Sequence, residues 1–234
     1  MTAKEVQKQL RKYATKKRAK ASAWFFKTGK GQYGEGDIFI GVNNPNARHV
    51  ALTHIGIPLP EIAKLLDSKI HEDRFVALEI LVAKYEKGRS LEQKRITNFY
   101  LKHKARVNNW DLVDTSASYI LGHYLFKKNR KIIYRLARSK SLWDRRIAVV
   151  ATNYFIQQKD YKDILRLAIL LAKDREDLMH KAVGWMLREV GKKDEKVLTK
   201  FLDKYATKLP RTTLRYSIER LSEMQKKVYM RMGK

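Results

Sequence analysis

The sequence predicts an all-α fold, a helical-repeat solenoid, on three observations. From Pro45 onward apolar residues recur at helical spacing almost to the end, and nothing reads as a pair of β-strands. Three helices repeat one pattern of small and branched apolar residues after a more polar helix: Arg74 to Leu81, Trp143 to Val150 and His180 to Leu187. Successive units lie about 33 to 36 residues apart, the range of helical hairpins that bury little alone and stack into a curved array with a concave face. No Pro/Gly/Ser linker is long enough to divide the chain, so one domain over residues 1–234 is expected.

In order, residues 4 to 20 read as one basic helix with Val6, Leu10 and Tyr13 on its apolar stripe. Residues 21 to 44 are Gly-rich. Gly29 to Gly34 matches G-x-G-x-x-G in form, but no strand precedes it and no helix opens within it, so it reads as a flexible turn between helices. Trp24, Phe25 and Phe26 read as core packing. Pro45 suits the start of a helix over Asn46 to Ile55, and Pro58 and Pro60 punctuate before Glu61 to Leu66. Ser90 with Gln93 and Ser141 with Asp144 fit capping boxes, and Asp174 can cap the helix after it.

The chain carries 51 Lys and Arg against 24 acidic residues, a net charge of +27. A charge that large costs self-repulsion, and its natural use is to meet a polyanion, with nucleic acid foremost. The basic residues are spread over every helix, which disfavours a membrane-surface anchor. No apolar run approaches a membrane span, the Lys-rich start lacks a secretory h-region, and there are no cysteines; a soluble, cytoplasmic protein is expected.

Against this background Asn108 to Thr115 stands out. Asn109 is a good N-cap, and Asp111 and Asp114 lie in the first turns of the helix it starts, where carboxylates complement orphan N–H groups. Trp110 and Asp114 are four residues apart, so an indole and a carboxylate share one face. That pairing suits a planar cation. In a stacked array Trp110, Asp114, Arg145, Arg146 and Trp185 would fall on equivalent helices and line one surface for a duplex, unless the two arginines are ordinary surface charges.

No H-E-x-x-H, paired Cys/His spacing or acidic calcium loop occurs, so no metal or other cofactor is expected. His103, His123 and His180 read as surface or locally bonded side chains. Serine-hydrolase and Walker signatures are missing too. A carboxylate, aromatics and positive charge suffice for one reaction: cleaving a glycosidic bond whose leaving group is already cationic. An alkylated purine needs no protonation to leave, and one carboxylate can stabilise the oxocarbenium-like sugar and place a water.

The chain resembles the bacterial DNA alkylation repair glycosylases of the AlkD type, which are built from HEAT-like repeats. The resemblance lies in Ile40-Gly41-Val42 with Pro45 and Arg48, in Trp110-Asp111-Leu112-Val113-Asp114, in Trp143-Asp144-Arg145-Arg146, and in Lys181 to Glu189. It implies Asp114 as the catalytic carboxylate, Trp110 and Trp185 flanking the lesion nucleotide, and Arg146 on the adjacent phosphate; Arg145, Arg48 and Lys27 are expected as further DNA contacts. It also implies excision of N3- and N7-alkylpurines from duplex DNA without a cofactor or a closed base pocket, by a monomer needing no protein partner. The insert from Gly29 to Asp37 lengthens the N-terminal connection beyond the family's usual pattern. The alternative is a non-catalytic helical-repeat scaffold for duplex DNA, branched DNA or structured RNA, which leaves Asp114 without a task.

Overall fold

The structure is a computed structural model that describes residues 1–232; it is helical, and among these residues the one β feature is an isolated parallel bridge between Ile38 and Ile70. Where the sequence predicts one domain over 1–234, the contacts gather into two compact units, Met1–Ser116 and Ala117–Lys234.

The first unit opens with α1 (Ala3–Arg11), whose Thr2 and Glu5 form a reciprocal capping box. Val6 and Leu10 on its stripe are fully buried. The expected helix over 4 to 20 is broken: Lys12 to Ala14 turn, and α2 (Lys16–Phe25) starts afresh after Thr15, whose N–H donates to the Ile40 carbonyl at 3.1 Å. None of α2's residues is buried, because Lys and Arg fill its first turns and leave no apolar side to bury. The glycine-rich turn that follows is closed on itself, with Gly34 N–H donating to the Lys27 carbonyl and Asp37 N–H to that of Gly34, each at 3.1 Å.

Next come α3 (Asn44–Thr53), capped by Asn43 with Pro45 in its first turn, and α4 (Leu59–Leu66), both close to expectation. The axis of the unit is α5 (His71–Lys87), which packs on α3, α4, α6 (Ser90–Lys102) and α7 (Trp110–Asp114). The Ser90 capping box does not form. Ser90 is already helical, and the Gln93 amide reaches back to the Tyr85 carbonyl at 3.4 Å.

In the second unit a π-helical stretch, Ser118–Gly122, leads into the single turn α8 (His123–Leu125). Then follow α9 (Lys131–Ala137), α10 (Leu142–Gln157), α11 (Lys162–Leu170), α12 (Asp177–Lys193), α13 (Glu195–Tyr205), α14 (Arg211–Ser217) and α15 (Glu223–Met232). Helices α10, α12 and α14 stack in sequence, each separated from the next by a more peripheral helix; α10 and α12 carry two of the three repeated cores that the sequence predicts. Their contact is close: a Cβ on Gly184 would sit 2.6 Å from the Thr213 carbonyl oxygen. Ser141 caps α10 through the Asp144 N–H, but the Asp144 carboxylate takes the Ser139 hydroxyl instead of closing the box. Arg130 ties α9 to α11, pairing with Asp160 and Asp163 while its guanidinium lies 4.0 Å from the Phe155 ring centroid. No helix among the described residues is long and apolar enough to cross a membrane.

Candidate functional site

Helix α7 is short, so its placement depends on what holds its first turn. Asn109 is fully buried; its Oδ1 accepts from Trp110 N–H at 2.8 Å while its Nδ2 donates to Asp37 Oδ2 at 2.9 Å. Asp111 Oδ1 accepts from Leu112 N–H at 2.9 Å, and its Oδ2 meets His71 Nε2 at 2.8 Å. At the other end Thr115 donates its hydroxyl to Glu79, which also accepts from Arg48 Nε at 3.1 Å. Asp114, half-buried between these anchored ends, lies one turn from Trp110 on the same face.

Trp110 belongs to an aromatic pile. Its indole stacks on Phe26, with centroids 5.1 Å apart and planes 12° from parallel, and takes the edge of Phe25 at 6.0 Å. Phe26 stacks in turn on Phe39, and Phe39 on the His71 ring at 4.4 Å. The expectation that Trp24, Phe25 and Phe26 are all core is therefore corrected. Phe26, just past the end of α2, is half-buried in the pile, but Trp24 is 77% exposed and Phe25 56% exposed. Lys27, two residues past the end of α2, is left-handed (φ 55°) and exposed, with its ammonium 5.6 Å from the Trp24 ring centroid.

Beneath the pile lies a buried charge network that the sequence pattern does not reveal. His71 is 2% exposed, and each of its ring nitrogens faces a carboxylate oxygen, Nδ1 to Asp37 Oδ2 at 2.9 Å and Nε2 to Asp111 Oδ2 at 2.8 Å. Carboxylates only accept, so both nitrogens carry protons and the ring is an imidazolium. Arg74 pairs with the second oxygen of Asp37, so two cations balance two anions. Glu72, also buried, accepts from the N–H groups of Ile40, Gly41 and Val42. The available signal was four polar or charged residues, His71 to Arg74, placed directly before the apolar run Phe75 to Leu78; in α5 all four are buried.

Burial alone would push the His71 pKa down, but attraction and hydrogen bonding to Asp111, then to Asp37, raise it from 6.5 to about 9. The same pairing holds Asp37 below its ordinary value despite its burial. A histidine raised this way stabilises the fold fully below pH 6.5 and loses that contribution as pH climbs through about 9. Stability in urea should fall across that window by an amount on the order of 3 kcal/mol, the size of the shift converted to free energy. An unfolding midpoint that stays level there would contradict the assignment.

In the second unit Trp185 is half-buried on α12, its Nε1 donating to Glu189 at 3.2 Å. Arg145, expected as a DNA contact, is bonded within the unit: Nε and Nη2 bind Asp174 at 2.6 and 3.2 Å, and Nη1 donates to the Ser139 and Lys140 carbonyls. The Asp174 side chain is buried, so leaving it unpaired would cost more than a surface contact returns. Asp174 therefore does not cap α12; Glu176 occupies that position. Arg146 is buried, with Nη1 donating to the Leu178 carbonyl at 2.7 Å. His103 and His180 bond the Phe99 and Asp174 carbonyls, and His123 lies edge-on to Tyr154. Among the described residues no group of three or more His, Asp or Glu is placed to hold a metal ion.

A family model described as DNA alkylation repair enzyme matches residues 6–221. A solved structure described as a predicted DNA alkylation repair enzyme from Enterococcus faecalis superposes with a TM-score of 0.71 at 14% identity, covering 90% of this chain and 97% of that one. That likeness is one of fold. No curated relative matches the sequence.

Proposed function

Because the chain belongs to the DNA alkylation repair enzyme family, we propose that it is a DNA glycosylase that releases N3- and N7-alkylated purines from duplex DNA. The observation that carries this reading is the pairing on α7: a carboxylate and an indole on one half-buried face, in a protein with a net charge of +27. An anion in a protein built to meet phosphates lowers affinity for them, and facing a cationic sugar is the task this reading gives it.

The reaction needs little. The cationic base departs as a neutral purine when the C1′–N bond breaks, taking the bonding electrons. Asp114 faces the positive charge left on the sugar and orients a water, which adds to C1′ and gives up a proton to the carboxylate or to solvent. Trp110, held by Phe26, offers its face to the cationic nucleotide. The family motif gives Trp185 the second aromatic place. Lys27 and Arg48 are exposed cations of the first unit and suit phosphate contact, and Arg146 takes the phosphate place that the resemblance implies. Arg145 would meet phosphate only while keeping its pair with Asp174.

The test is incubation with a duplex containing N7-methylguanine. The expected result is free base and an alkali-labile abasic strand. Tight, salt-sensitive binding with no release of this base or of N3-methyladenine would overturn the reading in favour of a non-catalytic DNA clamp.

A further inference from the structure

Resting on that reading, we propose that His71 is a positioning residue: a buried imidazolium strut that fixes the first turn of α7 and so sets where Trp110 and Asp114 stand. Three contacts carry the inference. Asp111, the second residue of α7, is held by His71 Nε2; Asn109, the cap, is held by Asp37; and Asp37 is held by His71 Nδ1. Through Phe39 and Phe26 the same ring supports the stack on which the Trp110 indole lies. One side chain thus braces α7 both through charge and through ring packing. A helix of five residues has few hydrogen bonds of its own with which to hold a side chain in place.

The charges around the strut are balanced only while His71 is protonated. Asp37 and Asp111 face it directly, Arg74 faces Asp37, and the neighbouring Glu72 is satisfied by backbone N–H groups. Loss of the His71 proton leaves Asp37 paired with Arg74, Asp111 without its cationic partner, and one ring nitrogen without a proton to donate. The expected response is release of the first turn of α7 without unfolding of the apolar body of α5.

Two variants test this. His71→Gln removes the cation; His71→Gln combined with Asp111→Asn removes the cation together with one carboxylate, restoring balance and protecting against a simple failure to fold. The single variant should lower the single-turnover excision rate on the order of 10- to 100-fold, the usual cost of a misplaced catalytic group, with duplex affinity unchanged within about twofold. The unaltered protein should lose excision rate as pH rises through about 9, and the double variant should lack that alkaline limb. Near-UV circular dichroism of the stacked indole provides a readout independent of catalysis: it should titrate over the same range in the unaltered protein and stay level in the double variant. An indole signal that titrates identically in both, or a folded His71→Gln protein with full rate and the unaltered dichroism, would overturn the proposal. Should the unaltered protein release no base, the dichroism still decides whether His71 positions α7, so failure of the glycosylase reading is told apart from failure of this one.

Discussion

Gly41→Ala should destabilise the first unit by about 4 kcal/mol, within the range of substitutions that force both strain and overlap. Gly41 has φ 82°, and a Cβ there would lie 2.2 Å from the Thr15 carbonyl oxygen and 2.4 Å from the Ala19 nitrogen, backbone atoms that cannot swing aside. Relieving the overlap moves α2 away from the Ile40 to Val42 segment, and Gly41 N–H also donates to Glu72 at 2.7 Å. Gly36 provides the control. Its φ is 84°, but a Cβ there would meet nothing within 4 Å, so Gly36→Ala carries only the left-handed strain of about 1 to 2 kcal/mol. Urea unfolding of the two variants separates the causes, and equal losses would show that the approach of α2 to this segment is not tight.

What could be read from the sequence was what depends on neighbours in the chain. Pro45 marks the start of α3, and Asn109 caps α7 and Ser141 caps α10 through bonds spanning a few residues. The repeat of α10 and α12 was legible because small and branched apolar residues recur where helices meet. What was not legible depends on distant partners. The helix expected over 4 to 20 breaks where Thr15 meets Ile40, and neither residue signals the other. Arg145 has the appearance of a surface cation until Asp174 is placed beside it. His71 bonds residues 34 and 40 positions away, so its ionisation could not be inferred from local pattern. Asp111 shows the same limit: it complements the α7 N–H groups as expected, yet its main partner is that imidazolium.

Asp114→Asn should cost two to three orders of magnitude in the excision step, about the loss seen when one preorganised electrostatic contact to a developing charge is removed. The amide has nearly the shape of the carboxylate, so α7, the Asn109 cap and the Trp110–Phe26 stack should persist. The amide carries no charge to face the sugar cation and is a poor acceptor for a proton from water. Duplex affinity should hold or rise slightly, since an anion facing a polyanion is removed. A mutation that lowers the rate and spares binding marks an interaction made in the transition state.

The most direct measurement is therefore single-turnover release of N7-methylguanine from duplex DNA by the unaltered protein and by Asp114→Asn, with duplex affinity measured in parallel. The predicted result is release by the first, a rate lower by roughly 100-fold or more for the second, and matched affinities. Equal rates in the two proteins, or binding without release in both, would contradict a glycosylase centred on Asp114.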